Sequence, residues 1–306
     1  MNSRWKLNLN EAKGNASAAR SPVALFIYNR AELSAELIRC IRVVQPRRLL
    51  LVADGPRANR VGDAEACALT RRVVLDAIDW ETELTTNFAD ENMGLRRRVS
   101  SGLDWVFSQV SEAIILEDDL RPHSDFFRFC DDLLEYHRED ERIGAISGNC
   151  YYPNAGAEGV THYASIYPFC WGWATWKRAW QNYDHELTHW PKWRDAGDGL
   201  AAWLEDSREV DFWKNALGRV ERGEVSSWAF VWLVSLWRHQ MLTILPCRNL
   251  VSNMGFGNDA SNTNDTNSPH AALAIFPMPF PLIHPPRLAR FREADAWSAR
   301  NVFGIG

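Results

Sequence analysis

Ala113-Ile114-Ile115-Leu116-Glu117-Asp118-Asp119 runs a short apolar stretch straight into three consecutive carboxylates. An apolar run of this length between polar residues reads as a buried strand. The acids then stand at its carboxyl end, where open α/β sheets bind their ligands. Adjacent like charges repel, so the cluster is costly unless something positive lies beside it. A hard divalent cation with oxygen ligands, Mg²⁺ or Mn²⁺, meets that need. A solvated acidic turn is the alternative that these seven residues leave open.

On either side of this stretch the first half of the chain alternates apolar runs with helical spacing. Strands are expected over 23–28, 49–53, 82–87, 113–116 and 143–147. Helices are expected over 30–44, 64–78, 97–110 and 124–138, the last capped by Ser124. Strands alternating with helices predict an α/β fold with a mostly parallel central sheet and helices on both faces. The loops that follow the strands carry Asn29-Arg30, Asp54-Gly55, Asn92 and the acid triplet, and they should converge on one edge of the sheet.

The second half has a different texture. Residues 151–162 read as a loop, 171–180 are aromatic-rich, and 201–222 and 227–238 have helical spacing, followed by a short strand over 242–245. The stretch 255–268 is rich in Gly, Asn, Asp, Ser and Thr and reads as a loop able to order over a ligand. Five prolines from Phe276 onward precede a polar tail. No internal repeat and no interdomain linker is visible.

Composition narrows the classes. With 306 residues, 46% hydrophobic and 24% charged, the chain has the make-up of an ordinary globular protein. A net charge of −5 and a pI near 5.9 do not suggest a nucleic-acid binder, although Arg96-Arg97-Arg98 is a local basic patch. No stretch approaches the ~18 apolar residues of a membrane span. Residues 1–20 lack an apolar signal core and read as a flexible tail on a cytoplasmic protein. The six cysteines are scattered without CxxC spacing, so they read as free thiols rather than a zinc site. Fifteen tryptophans is a high count, and most lie between Trp171 and Trp237. Tryptophan packs cores, and its flat face also suits sugar rings.

Neither GxGxxG nor GxxxxGK[ST] occurs, which argues against an NAD-type fold and a P-loop NTPase. Asp54, in Asp54-Gly55-Pro56, reads either as a turn residue or as an acceptor for a ribose or base. Asn92-Met93-Gly94-Leu95-Arg96 reads as a turn, or as a loop contacting a base with an arginine near phosphates. In Phe169-Cys170-Trp171-Gly172-Trp173-Ala174-Thr175-Trp176 the tryptophans would share one face of an extended strand, either packing a sheet or forming a sugar platform.

Taken in order, these pieces resemble the nucleotide-diphospho-sugar glycosyltransferases of the GT-A fold, in particular the bacterial branch related to N-acetylglucosaminyltransferase I. The resemblance runs from about residue 21 to about 266. It rests on Tyr28-Asn29-Arg30, Asp54-Gly55-Pro56, Asn92-Met93-Gly94-Leu95, the acid triplet, Trp171 to Trp176, and Asn249-Leu250-Val251-Ser252-Asn253-Met254-Gly255-Phe256-Gly257. It implies one Rossmann-like GT-A domain over 21–275. The nucleotide-sugar half covers about 21–150 and the acceptor half 151–275, with a Pro-rich tail over 276–306.

The resemblance also implies roles. Asp119 is the expected ligand of Mn²⁺ or Mg²⁺ on the donor diphosphate, with Glu117 and Asp118 facing the ribose and donor sugar. Asn29, Arg30, Asp54, Asn92 and Arg96 are expected around the nucleotide. Trp171, Gly172, Trp173, Trp176 and Trp228 are expected in the sugar pocket. The implied reaction moves a sugar from a nucleotide-diphosphate donor, a UDP-sugar favoured, to a hydroxyl of a surface-glycan or lipid-linked saccharide, with inversion. A lipid-linked acceptor implies approach to the inner membrane through exposed aromatics or the C-terminal tail. The chain departs from the family pattern twice. Ala229 and Phe230 stand where an acid following Trp228 would act as base, leaving Glu224 and then Asp211 as candidates. Asn262 stands where a metal-contacting His is expected. A partner subunit that binds nucleotide-sugar or glycan without turnover is the alternative.

Overall fold

The computed structural model describes residues 18–256 and 270–306. Of the flexible tail expected over 1–20, residues 1–17 lie outside the described residues, as does the expected loop from 257 with Asn262. Ala19 and Arg20 are not a free tail: Ala19 is 2% exposed, and their amides donate to the Val44 carbonyl and to Asp131 Oδ2, each at 2.8 Å.

β1 (Val23–Ile27) is buried along its whole length. Tyr28, Asn29 and Arg30 turn the chain into α1 (Ala31–Val44), which buries Leu37, Ile38, Ile41 and Val44 along one stripe. The alternation continues through β2 (Arg48–Ala53), α2 (Asp63–Asp76), β3 (Glu83–Phe88), α3 (Leu95–Gln109) and β4 (Glu112–Glu117). Next come β5 (Leu120–Pro122), α4 (Ser124–Tyr136), β6 (Ile143–Ser147), β7 (His162–Ser165) and β8 (Trp173–Trp176). Four helices follow: α5 (Lys177–Trp180), α6 (Trp190–Asp195), α7 (Leu200–Leu204) and α8 (Ser207–Glu221). The chain closes with α9 (Trp228–Arg238), β9 (Leu242–Pro246), β10 (Val251–Asn253) and α10 (Arg292–Asn301).

The main sheet has the order β3-β2-β1-β4-β8-β6-β9-β7. β1 pairs in parallel with β2 and β4, β2 with β3, and β6 with β9. Only β8 and β7 run against their neighbours. This is the expected α/β class with a large, mostly parallel, Rossmann-like central sheet. Alternate strand residues feed two core layers. Ala24, Phe26, Leu50, Val52 and Ile115 face one side with α3 and α9; Val23, Leu25, Leu49, Leu51 and Ile114 face the other with α1 and α4.

The strand order positions the site. From β1 the chain steps to β2 and β3 on one side, then crosses through α3 to place β4 on the other side of β1. The loops leaving β1 and β4 therefore part in opposite directions and open a crevice at the carboxyl ends of the strands. A small antiparallel pair, β5 with β10, matches Leu120 to Asn253 and brings the segment after β10 beside the acids.

Several elements differ from the sequence reading. The helix expected over 201–222 is two helices, broken where Glu205 takes a left-handed conformation (φ 69°) and Asp206 caps α8 through the Arg208 amide. The polar tail expected from 276 contains α10, which buries Ala294, Asp295, Ser298 and Ala299. Asp295 accepts from Ser165 Oγ at 2.5 Å and from Arg290 Nε at 2.6 Å, so α10 is docked by buried polar contacts that no apolar periodicity announces. Among the described residues no helix is long and apolar enough to cross a membrane.

Candidate ligand site at the sheet crevice

The acid triplet closes β4, where Glu117 pairs with Phe26 of β1. Asp118 is buried and accepts the Tyr28 amide at 3.1 Å. Arg30 Nη1 donates to Asp119 Oδ2 at 2.8 Å and lies 3.8 Å from Asp118 Oδ1. One guanidinium thus faces three carboxylates. Burial pushes the Glu117 carboxyl up to about 8, reinforced by Asp119 and Asp118 and opposed by Arg30. Burial and the charge of Asp119 push Asp118 up to about 7, against Arg30 and the Tyr28 amide. Burial raises Asp119 as well, again against Arg30. All three carboxyls are thus harder to ionise than ordinary ones, and a divalent cation beside them would favour their charged forms.

The donor set suits a hard cation. The backbone after β10 is pressed against Asp119: the Met254 amide donates to its carbonyl oxygen at 2.8 Å. A Cβ on Gly255 would fall 2.0 Å from Asp119 Oδ2, so only glycine leaves this carboxylate its place. Among the described residues no group of three or more His, Cys, Asp or Glu converges on one metal position. Mg²⁺-type sites commonly take one or two carboxylates and complete the shell with water and substrate phosphates. Asp119 with Asp118 behind it fits that pattern.

Two further networks shape the crevice. Asp54 Oδ1 accepts the amides of Gly55 (2.8 Å) and Met93 (2.9 Å), and its Oδ2 accepts Asn92 Nδ2 at 3.0 Å. The structure thus brings Asp54 and Asn92 together, tying the loop after β2 to the loop before α3. Arg98 is buried and donates to the carbonyls of Ala53 and Asn87, and Arg71 to those of Asp54 and Ala89. These two arginines satisfy the last carbonyls of β2 and β3. Arg96, expected near phosphates, instead donates to the His185 carbonyl at 2.5 Å.

The second network centres on Asp63, the first residue of α2, which is 3% exposed. It accepts from Tyr28 Oη (2.6 Å), Asn29 Nδ2 (2.7 Å), and the amide, Nε and Nη2 of Arg57 (2.8, 3.1 and 2.9 Å). Arg57 above all, with Tyr28 and Asn29, holds its carboxyl well below the usual range. Sequence reading missed Asp63 and Arg57. The one available signal was an Arg six residues before an Asp in a loop after a strand.

The aromatic wall is also different from the expected one. Trp173 and Trp176 are each 2% exposed and enter opposite core layers. They stand three residues apart on a strand of period two, so they cannot share a face. Trp228 is buried and stacks on Trp173 at 5.6 Å. The expected platform of tryptophans is therefore not formed by these three. Gly172 takes φ 69° beneath Val251. Trp171 is half-buried and meets Phe256 edge-on at 5.5 Å and Tyr151 at 6.2 Å. Tyr151 in turn packs on Phe169 and His270. Cys170, between Phe169 and Trp171, lies close enough to Glu117 and Asp119 for their charge to add to burial in raising its thiol. Trp171, which was expected in the sugar pocket, thus stands with Tyr151, Phe169 and Phe256, which were not, in place of the buried tryptophans.

Neither candidate base joins the acids by a hydrogen bond. Glu224 is exposed, accepts from Arg222 Nε at 2.7 Å, and lies 3.6 Å from Arg219. Asp211 is exposed on α8.

No family model and no curated protein matches the chain. Among solved structures it is similar to a cytidylyltransferase from Leptospira borgpetersenii serovar Hardjo-bovis (strain JB197), at 10% identity and a TM-score of 0.35. The match covers 54% of this chain and 64% of that one, so this chain spans less than two thirds of that protein's length.

Proposed function

We propose that this chain is a glycosyltransferase of the GT-A type that its motifs resemble. It moves a sugar from a nucleotide-diphosphate donor, a UDP-sugar favoured, to a hydroxyl of a saccharide or lipid-linked saccharide. One observation carries the reading: three carboxylates crowd the end of β4, at the point where the sheet order reverses, with one guanidinium to offset them. Such a crevice is where open α/β sheets bind nucleotides, and the negative excess calls for a cation. Asp119, backed by Asp118, would hold Mn²⁺ or Mg²⁺. When bound, the metal would stabilise negative charge on the leaving diphosphate.

The protein's own groups have the following tasks in this reading. Arg30 balances the acids and lies within reach of a diphosphate held there. Trp171, Phe256 and Tyr151 offer apolar ring surface for a sugar beside the acids. In the transfer the acceptor oxygen bonds to the anomeric carbon, the bond from that carbon to the phosphate oxygen breaks, and the nucleoside diphosphate leaves. The acceptor proton goes to a base. Inversion is favoured, and a carboxylate of the triplet that carries no metal would take that proton.

A second reading, a binding subunit without turnover, is favoured by the ion pairing of Glu224 away from the acids. Calorimetry and thermal shift with UDP, GDP, dTDP and CMP, with and without Mn²⁺, test the site. Ligand at 100 times its Kd stabilises the fold by about 2.7 kcal/mol, an easily read shift. Metal-dependent binding of one nucleotide, lost in Asp119→Ala, supports the reading. A folded protein that binds none of them defeats it. Transfer or donor hydrolysis by the wild type separates the two readings.

A further inference from the structure

We infer that Asp63 is a positioning residue for the nucleoside end of the ligand, acting through Tyr28 and Arg57, while the diphosphate end is held independently at Asp119. The inference rests on the reading that this crevice takes a nucleoside diphosphate. Its physical basis is the Asp63 network.

Five donors converge on one sealed carboxylate, and they come from the loops that leave the adjacent strands β1 and β2. The side chains so held do not fill the core. Tyr28, Asn29 and Arg57 are each half-buried at the carboxyl edge of the sheet. Tyr28 is fixed at both ends, its phenol by Asp63 and its amide by Asp118. Asp63 therefore reaches the acid triplet through a single residue. Arg57 is gripped through Nε and Nη2, which fixes its guanidinium plane, and its carbon lies 5.4 Å from the Tyr28 ring centre. The rest of its side chain is not sealed: it is 35% exposed.

A guanidinium locked in plane and partly exposed is suited to a carbonyl or ribose oxygen in a fixed place. A buried charged network is an expensive way to hold two loops together if stability alone is at stake, because the carboxylate loses its hydration. It is a good way to fix directional donors. Arg30, by contrast, is anchored on Asp119 and does not touch Asp63 in any of these bonds. The two ends of the crevice thus have different anchors, Asp63 at one and Asp119 at the other, joined through Tyr28.

The test compares two probes with Mn²⁺ by calorimetry: inorganic pyrophosphate, and UDP or whichever of GDP, dTDP and CDP the wild type prefers. Asp63→Asn is expected to weaken nucleotide binding at least tenfold and to leave pyrophosphate binding within about twofold. Tyr28→Phe, which removes only the phenol oxygen, and Arg57→Gln are expected to show the same split, and they decide the matter if Asp63→Asn does not fold. Equal loss of both probes would make Asp63 merely structural and overturn the inference. So would nucleotide binding at wild-type strength in the folded variants. A wild type that binds the nucleotide but not pyrophosphate overturns it too, because the two ends would then not be independent. A wild type that binds neither probe brings down the reading of the site itself.

Discussion

Replacing His162 with Gln should make the fold less sensitive to acid, and the size of the effect follows from burial. His162 opens β7, is 1% exposed, and places Nδ1 3.0 Å from Thr161 Oγ1 and Nε2 3.2 Å from Nδ1 of His284. Burial, with His284 and His137 alongside, pushes its imidazole down to about 3. The unfolded chain titrates near the ordinary value of about 6.5. Above that pH both states are neutral and the group contributes nothing. Below it the unfolded chain takes up a proton that the folded chain refuses, so stability is lost from about pH 6.5 down to about pH 3. At pH 5, about 1.5 units below the ordinary value, the loss is about 2 kcal/mol at about 1.36 kcal/mol per unit. His137, pushed down to about 4 chiefly by burial, behaves in the same sense. Glu117 and Asp118, whose carboxyls are raised, gain stability as pH falls, so the wild-type profile alone mixes opposite trends. Both proteins share those carboxylates, and the comparison cancels them. Urea denaturation of wild type and His162→Gln at pH 7.5 and pH 5 reads the difference. The variant should lose about 2 kcal/mol less between the two pH values. Equal losses in the two proteins would refute the argument that His162 is held neutral.

Two further outcomes are expected near the acids. Gly255→Ala should weaken Mn²⁺-dependent nucleotide binding at least tenfold, because the new methyl would meet Asp119 Oδ2 at 2.0 Å and force the carboxylate aside. Metal titration reads it, and unchanged affinity would show that Asp119 does not need its present place. Glu224→Gln should change turnover by less than about threefold, since an exposed carboxylate shared by Arg219 and Arg222 is a poor base. A loss of a hundredfold or more in transfer or donor hydrolysis, the scale of general-base catalysis, would restore Glu224 to the reaction.

What could be read from the sequence was what repeats with the period of an element. The runs at 23–27, 49–53 and 113–116 are apolar because both faces of those strands are covered, and they were legible without any partner. The order of the strands was not, since it depends on which way each crossover helix turns. The acid triplet was legible because its strangeness is local: three like charges adjoin in sequence before they adjoin in space. Asp63 was hidden for the converse reason. It stands at the start of a helix, where an acid has an ordinary place, and Tyr28 and Asn29 are 35 and 34 residues away. The tryptophans misled because their number drew attention from their spacing; residues 173 and 176 on a strand must part company. α10 was missed because Asp295 and Ser298 replace apolar residues on its buried side, and the partners of Asp295, Ser165 and Arg290, lie outside the helix.

Asp54 shows why the turn and ligand readings of such a residue are not true alternatives. Its carboxylate already accepts three hydrogen bonds, and a carboxylate has about four lone-pair sites. The turn reading is therefore satisfied in full. The same bonds tie the loop after β2 to the loop before α3 and fix the plane of the Asp54 carboxylate. Tyr28 and Arg57 are held in the same manner, by hydrogen bonds within the fold. In the proposed reading rigidity and recognition draw on one set of bonds. A sequence reading that asks whether a residue is structural or functional divides what the fold has joined.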